Sequence, residues 1–287
     1  MKLTFLGLPD HPQARVALIP APLELTTSWK KGTKEAPIEI LKVSPNMEFF
    51  DEEVFLNPYE KLGFFTYPVP ELSFEIEMAL KKISQYVRDT LNLKRFPIII
   101  GGEHTVTLSS IKVIKEFYPD LKILHLDAHL DLRDEYNGTK INHATVMRRI
   151  YEMGIPILSI GIRTLSEEEY EFIRKENYPL IWSKDFKENP SQSLKVIENF
   201  IKEGNIYLSL DIDVLDPSLA PGVGTPEPGG LNWFEILQIL KSVVKYNLIG
   251  MDLVEVKPDH INPITEYIAS KIIFKVLAYL AKKYETA

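Results

Sequence analysis

The sequence predicts an α/β protein: a doubly wound parallel sheet in three layers, with helices on both faces. Three observations lead there. Short apolar runs rich in Ile, Leu and Val recur along the chain, separated by amphipathic segments. Most of these runs do not alternate apolar with polar residues, the pattern of strands covered on both faces. Histidines and acids stand directly after several runs, at the strand ends where open parallel sheets bind ligands. No internal repeat, low-complexity tract or linker divides the chain, so 1–287 is expected to form one domain.

In order, strands are expected at 15–20, 97–101, 122–126, 156–161, 178–182, 205–210 and 248–254. Helices are expected between and after them, at about 73–92, 104–117, 143–153, 166–176, 191–203, 232–246 and 265–284. Ser166 followed by Glu169, and Asn232 followed by Glu235, have the spacing of a capping box, in which two helix-start N–H groups are satisfied reciprocally. The last segment carries apolar residues at helical spacing and lysines in its final turn, where they complement the helix dipole.

A net charge of −7 argues against a binder of phosphate backbones and favours cationic ligands through long-range steering. With no cysteine there are neither disulfides nor thiolate metal ligands, which suits a reducing compartment; a cytoplasmic location is expected. No apolar run reaches the ~20 residues of a membrane span, and the N-terminal stretch has no signal-peptide core. Neither nucleic acid nor membrane is an expected partner.

Three segments carry chemistry. In DAHLD at 127–131, alternate residues of an extended chain share a face, so Asp127, His129 and Asp131 can address one site. Fully extended, the outer two would stand roughly 13 Å apart, so the segment must curl as it leaves the sheet. In SLDIDVLDP at 209–217, Asp211 and Asp213 share a face, while Asp216 before Pro217 starts a turn and stays outside the site. In GGEHT at 101–105, two glycines precede His104 at a strand-to-helix turn, with neither the dinucleotide nor the Walker spacing. His125, deeper in its strand, is expected to be a hydrogen-bonded core histidine. Two histidines and four carboxylates suit a pair of divalent transition ions. Carboxylates can also bridge two ions about 3.5–4 Å apart, as in two-metal hydrolysis.

These residues resemble the ureohydrolase (arginase/agmatinase) superfamily, and within it the agmatinases most. The resemblance runs from IPAPLELTTSWKKGTKEAPIEI (19–40) through GGEHT, DAHLD and NHATVMRR to SLDIDVLDPSLAPGVGTPEPGGL (209–231) and MDLVEVKP (251–258). It implies two manganese ions. One would be held by His104, Asp127, Asp131 and Asp211, the other by Asp127, His129, Asp211 and Asp213, with Asp127 and Asp211 bridging. It implies a small cationic guanidino substrate, with a metal-bridging hydroxide attacking the guanidinium carbon of agmatine to give putrescine and urea. His143 matches the family's proton-shuttling histidine, and Asp131 is counted with it as catalytic. Glu255 matches the acid that pairs with the guanidinium group, and Thr225, in the GTPEPGG loop, borders the site. A homo-oligomer, trimer or hexamer, is implied as well.

Arginases typically carry asparagine after the last acid of D-x-H-x-D, where it helps bind the substrate's α-carboxylate; here that residue is Leu132. Ala144 follows His143 where many relatives have glycine. Asp134 and Glu135 are candidates for gripping agmatine's distal ammonium, and Arg163 for gripping a carboxylate tail. Guanidinobutyrase, arginase, formimidoylglutamase and a catalytically silent metal-binding relative are the alternatives.

Overall fold

A computed structural model describes residues 2–286. Eight strands run β1 Val16–Ala21, β2 Phe64–Thr66, β3 Phe96–Gly101, β4 Leu121–Leu126, β5 Ile157–Ile162, β6 Leu180–Trp182, β7 Asn205–Asp211 and β8 Leu248–Val254. They form one sheet in the order β2-β1-β3-β8-β7-β4-β5-β6, and every neighbouring pair is parallel. The α-helices are α1 Ala36–Val43, α2 Pro58–Leu62, α3 Ile76–Asn92, α4 Thr107–Phe117 and α5 Val146–Glu152. They continue as α6 Glu167–Glu176, α7 Ser183–Glu188, α8 Pro190–Ile201, α9 Trp233–Lys245 and α10 Ile264–Thr286.

The layers follow from side-chain alternation along buried strands. Ile98 and Ile100 of β3 join one apolar cluster with Ile40 of α1, Ile201 of α8, Val243 of α9 and Leu277 of α10. Ile99, between them, joins the other cluster with Ile83 of α3, Ile111 of α4 and Ile150 of α5. Each fully buried side chain of this size contributes about 1.5–3 kcal/mol. Both anticipated capping boxes form, Ser166 with Glu169 on α6 and Asn232 with Glu235 on α9. Among the described residues no helix is long and apolar enough to cross a membrane.

The seven anticipated strands and seven anticipated helices are all present, with ends moved by a few residues. One strand and three α-helices add to them among the described residues. β2 is a three-residue edge strand, and α2 and α7 span 5 and 6 residues, too short to show a period. α1 is longer, but Pro37 in its first turn masks a helical pattern that its packing against α10 sustains.

Topology sets the site. After β3 the chain passes over two sheet positions to reach β4, and β7 and β8 later fill them. The four central strands β3, β8, β7 and β4 are therefore neighbours, although two of their three joins, β3 with β8 and β7 with β4, link strands that are not consecutive in the chain. Their carboxyl ends converge where the sheet order reverses, the usual ligand crevice of such sheets.

Candidate metal centre

His104 follows β3 in a short 3-10 turn that leads into α4. The two glycines before it are sterically required. A Cβ on Gly102 would stand 2.1 Å from the carbonyl oxygen of Leu23, so only glycine lets the β1 and β3 ends approach this closely. The 127–131 segment leaves β4 and curls, and Asp131 takes the left-handed backbone conformation at φ +54°. Glu255, just past β8, does the same at φ +62°. Non-glycine residues held there cost energy that the surroundings must offset, and such positions concentrate at functional sites.

The curl brings the three segments together. His104 Nδ1 lies 3.1 Å from Asp127 Oδ2, 3.1 Å from Asp131 Oδ2 and 3.4 Å from Asp211 Oδ2. His129 Nδ1 lies 3.0 Å from Asp213 Oδ2 and 3.4 Å from Asp127 Oδ1. Asp127 thus belongs to two adjoining donor groups, one around each histidine. Asp127, Asp131, Asp211 and Asp213 are all buried. Backbone N–H groups orient them: Ala128 donates to Asp213 at 3.0 Å, Asp213 to Asp211 at 2.8 Å and His129 to Asp127 at 2.5 Å.

The directions of the hydrogen bonds argue that the cluster fits metal ions. Ser209 donates its hydroxyl hydrogen to Asp252 at 2.8 Å, so it can only accept from His104 Nε2, 3.0 Å away. The neutral ring then has a bare lone pair on Nδ1. That atom is buried, has no hydrogen-bond partner among the described residues, and faces three carboxylates. A lone pair against carboxylate oxygens is repulsive unless a cation lies between them.

The titration tendencies show the same demand for positive charge, which a proton meets where no metal ion is bound. Burial opposes charge on His104, yet Asp127, Asp131 and Asp211 raise its proton affinity well above the histidine norm. Burial, then repulsion from Asp213 and Asp127, pushes Asp211 well above the usual carboxylate range. Asp127 goes the other way: burial would raise it, but His104, His125 and His129 beside it hold it well below normal. His125 is one of those three. Its Nε2 is 2.9 Å from Asp127 Oδ2, its Nδ1 is 2.9 Å from Ser159 Oγ, and the residue is fully buried. With both nitrogens engaged it orients a carboxylate, as expected of a core histidine.

A cavity of about 260 Å³ opens on this cluster, lined among others by His129, Asp131, Asp211, Asp213, His143, Thr225 and Glu255. Glu255 accepts the His104 N–H at 2.7 Å, and burial pushes its carboxyl up to about 8. Burial, with His104 and His129 nearby, lowers the His143 pKa. The structure therefore brings Thr225, His143 and Glu255 to the same space as the six-residue cluster.

Other candidates lie elsewhere. Asp134 is half-buried and pairs with Arg149 at 2.8 Å and Lys140 at 3.2 Å, and neither it nor Glu135 lines the cavity. Arg163 is also absent from the lining. Its guanidinium donates to backbone carbonyls of Asp213 at 2.6 Å and Glu227 at 2.8 Å, bracing the loop behind the cluster. Leu132 is buried in the apolar core. Asp216 accepts from the N–H groups of Ser218, Gly229 and Gly230, shaping the turn expected of it. Residues that sequence reasoning did not single out include Thr26, Trp29, Lys30, Glu103, Arg133 and Tyr136. Thr26 and Glu103 stand inside quoted motifs, but only the fold reveals that they touch.

Comparisons with known proteins converge on one family. A family model described as the arginase family matches residues 14–279. The N(1)-aminopropylagmatine ureohydrolase of Synechocystis sp. is 32% identical over 284 residues, 95% of this chain and 91% of that protein. The agmatinase of Bacillus cereus is 33% identical over 279 residues, 94% of this chain and 93% of its own length. The crystal structure of the agmatine ureohydrolase of Thermoplasma volcanium superposes with a TM-score of 0.89 at 29% identity, covering 99% of this chain and 96% of that one. With its sheet order, its clustered ligands and this match over nearly its whole length, the chain belongs to the arginase family of ureohydrolases, hydrolytic enzymes that depend on a binuclear metal centre.

Proposed function

We propose that this enzyme hydrolyses the guanidino group of agmatine, releasing putrescine and urea. The observation that carries the reading is the half-buried Glu255 carboxyl group lining the same cavity as the His–Asp cluster, where a guanidinium cation and the bound metal ions would hold it ionised as the substrate's anionic partner. The names of the agmatinase relatives support the choice of substrate.

His104, Asp127, Asp131 and Asp211 would hold one ion, and Asp127, His129, Asp211 and Asp213 the other; manganese is the expected metal. When bound, the ions supply acidification of water at neutral pH. The chain's own residues do the rest. Glu255 keeps one carboxylate oxygen on the His104 N–H and offers the other to the guanidinium through charge-assisted hydrogen bonds. Thr225 offers a hydroxyl from the cavity wall. Asp131, a ligand that also lines the cavity, accepts a hydrogen bond from the attacking water. Water oxygen bonds to the guanidinium carbon, and the carbon–nitrogen bond to the alkyl chain breaks. His143 gives the departing nitrogen its proton, as a histidine with a lowered pKa does readily.

N(1)-Aminopropylagmatine is a second reading, favoured by the name of the Synechocystis relative. It shares the guanidinobutyl end and differs in the tail, which would lie at the mouth. There Lys30 Nζ lies 4.4 Å from the Trp29 ring centroid, and Arg133 Cζ lies 5.1 Å from that of Tyr136. The acids proposed to grip a distal ammonium do not line the cavity, so recognition rests on the guanidino end and on the shape of the mouth. Urea release from agmatine, N(1)-aminopropylagmatine, arginine and 4-guanidinobutyrate, with manganese added, decides between them. Agmatine should show the highest kcat/KM and arginine a low one, because Leu132 offers its α-carboxylate nothing. A preference for 4-guanidinobutyrate would overturn the choice and direct attention to Lys30 and Arg133.

A further inference from the structure

We infer that Glu103 and Thr26 are positioning residues that select the tautomer of His143, keeping a hydrogen on Nδ1 and reserving Nε2 for proton exchange in the cavity. The inference rests on His143 as proton carrier for its effect on rate, but not for its effect on the ring.

The geometry is a closed count of hydrogens. Glu103 is fully buried. Its Oε2 accepts the backbone N–H groups of Leu25 and Thr26, each at 2.7 Å, and more distantly the Thr27 hydroxyl at 3.4 Å, and its Oε1 accepts the Thr26 hydroxyl at 2.8 Å. A carboxylate only accepts, so the single hydroxyl hydrogen of Thr26 is committed to it. The two lone pairs of that oxygen remain. One accepts the backbone N–H of His143 at 3.1 Å, and the other faces His143 Nδ1 at 3.2 Å. Among the described residues, Thr105 Oγ, at 3.4 Å, is the only other polar side-chain neighbour of that oxygen, and it is distant. An oxygen whose hydrogen is already donated can only accept from Nδ1. Nδ1 therefore carries the hydrogen, and the neutral ring has a bare Nε2. The Tyr136 ring meets that of His143 edge-on, at 5.8 Å between centroids and 85°, and limits rotation.

A histidine in the opposite tautomer would carry hydrogen on Nε2 and could not accept the proton that the attacking water sheds. With Nδ1–H fixed, Nε2 takes that proton and the imidazolium passes it on. The Nε2–H bond breaks, the N–H bond of the departing amine forms, and the ring returns to its starting tautomer. Nδ1 keeps its hydrogen throughout. Glu103 touches no substrate; it acts through Thr26 on His143.

Glu103→Gln tests the count, because an amide reverses one direction. Its carbonyl still accepts the two backbone N–H groups, but its NH₂ now donates to Thr26. The freed Thr26 hydroxyl then donates to Nδ1, which moves the ring hydrogen to Nε2. Ring-nitrogen NMR on the zinc-loaded full chain reads this directly, with the His143 signals assigned by their loss in His143→Gln. Wild type and Thr26→Ser should show protonated Nδ1 and bare Nε2, and Glu103→Gln the reverse. Steady-state kinetics should show kcat lowered on the order of 10²-fold in Glu103→Gln and Thr26→Val, the scale of a lost general acid–base contribution. KM and bound metal should be little changed, and Thr26→Ser should be near wild type. A wild-type ring with hydrogen on Nε2, or one tautomer shared by wild type, Glu103→Gln and Thr26→Val, overturns the inference. If Glu103→Gln does not fold, the Thr26→Ser and Thr26→Val pair decides by the same two readouts. Wild-type kcat in His143→Gln would instead refute the proton-carrier reading, and the tautomer populations would still decide this one.

Discussion

Two clusters of acid stand in this molecule, and they handle their charge in opposite ways. Around α10, Lys275 is fully buried, with its Nζ 2.9 Å from Asp51, 2.7 Å from Glu52 and 3.2 Å from Glu53. The chain supplies the cation that these acids need. At the carboxyl ends of the central strands, four buried aspartates meet three histidines, one with a buried nitrogen lacking a hydrogen-bond partner, and among the described residues no lysine or arginine makes an ion pair with any of the four. Unpaired buried charge is expensive. The first cluster is complete and structural; the second is complete only with cations from outside, and its incompleteness marks the functional site.

The largest expected effect follows from that difference. Chelation should abolish turnover, and divalent ions should restore it, with two ions bound per chain at full activity. Metal at about 100 times its Kd should also stabilise the fold by ~2.7 kcal/mol. Elemental analysis finding one ion in fully active protein would refute the paired assignment. Asp211→Asn should lose more activity and more metal than Asp213→Asn, since Asp211 is assigned to both ions. Equal metal retention would count against bridging.

Glu255→Gln comes next. It should keep both ions and lower kcat/KM on agmatine on the order of 10²-fold, the cost of losing one charge-assisted partner in a closed site. Loss of metal together with activity would move Glu255 into the metal shell, and wild-type kinetics would remove it from substrate binding.

Lys275→Met probes the complete cluster. Removing one partner of a buried ion pair costs about 3–5 kcal/mol, so unfolding in denaturant should shift strongly. The kcat/KM of the folded fraction should stay unchanged, and the stability loss should be the same with and without chelator. A variant whose instability vanishes on adding metal would show that the two clusters are coupled.

Much of this contrast was legible in the sequence, and part of it was not. The clustered histidines and aspartates could be read because each of their segments follows an apolar strand, and two of the three short motifs supply more than one of them. His104, Asp127 and Asp211 belong to three motifs whose shared crevice the doubly wound topology dictates. The Lys275 cluster was invisible: α10 reads as an amphipathic helix with scattered lysines, and nothing local says that one lysine faces inward to Asp51, 224 residues earlier. Thr26 and Glu103 were illegible for the same reason, since 77 residues separate two side chains that touch. Asp134 and Arg163 failed oppositely. They had the right charge near the right motifs, but Arg149 pairs the first and backbone carbonyls occupy the second. Local pattern predicts which residues reach a strand end; it does not predict which polar groups are already satisfied.

The smallest effect sharpens the comparison by pH. Burial alone would raise the Glu53 pKa, but hydrogen bonds from Lys241, Tyr279 and Lys275 overcome it and lower the carboxyl to about 2. A folded-state pKa below the unfolded value of 4.5 contributes stability above pH 4.5 that is lost as pH falls toward 2. The side chain is 31% exposed, so solvent screens the cluster. Glu53→Gln should therefore cost only about 1 kcal/mol at neutral pH. Urea unfolding of both proteins should show that gap constant from neutral pH to about pH 5, then shrinking to less than about half by pH 3. Differencing the two proteins cancels every other acid, including those of the metal centre. A gap that stays constant down to pH 3, or widens, would mean that Glu53 contributes through its shape and its hydrogen bond with Tyr279 rather than through its charge. The cluster around Lys275 would then owe its stability to Asp51 and Glu52 alone.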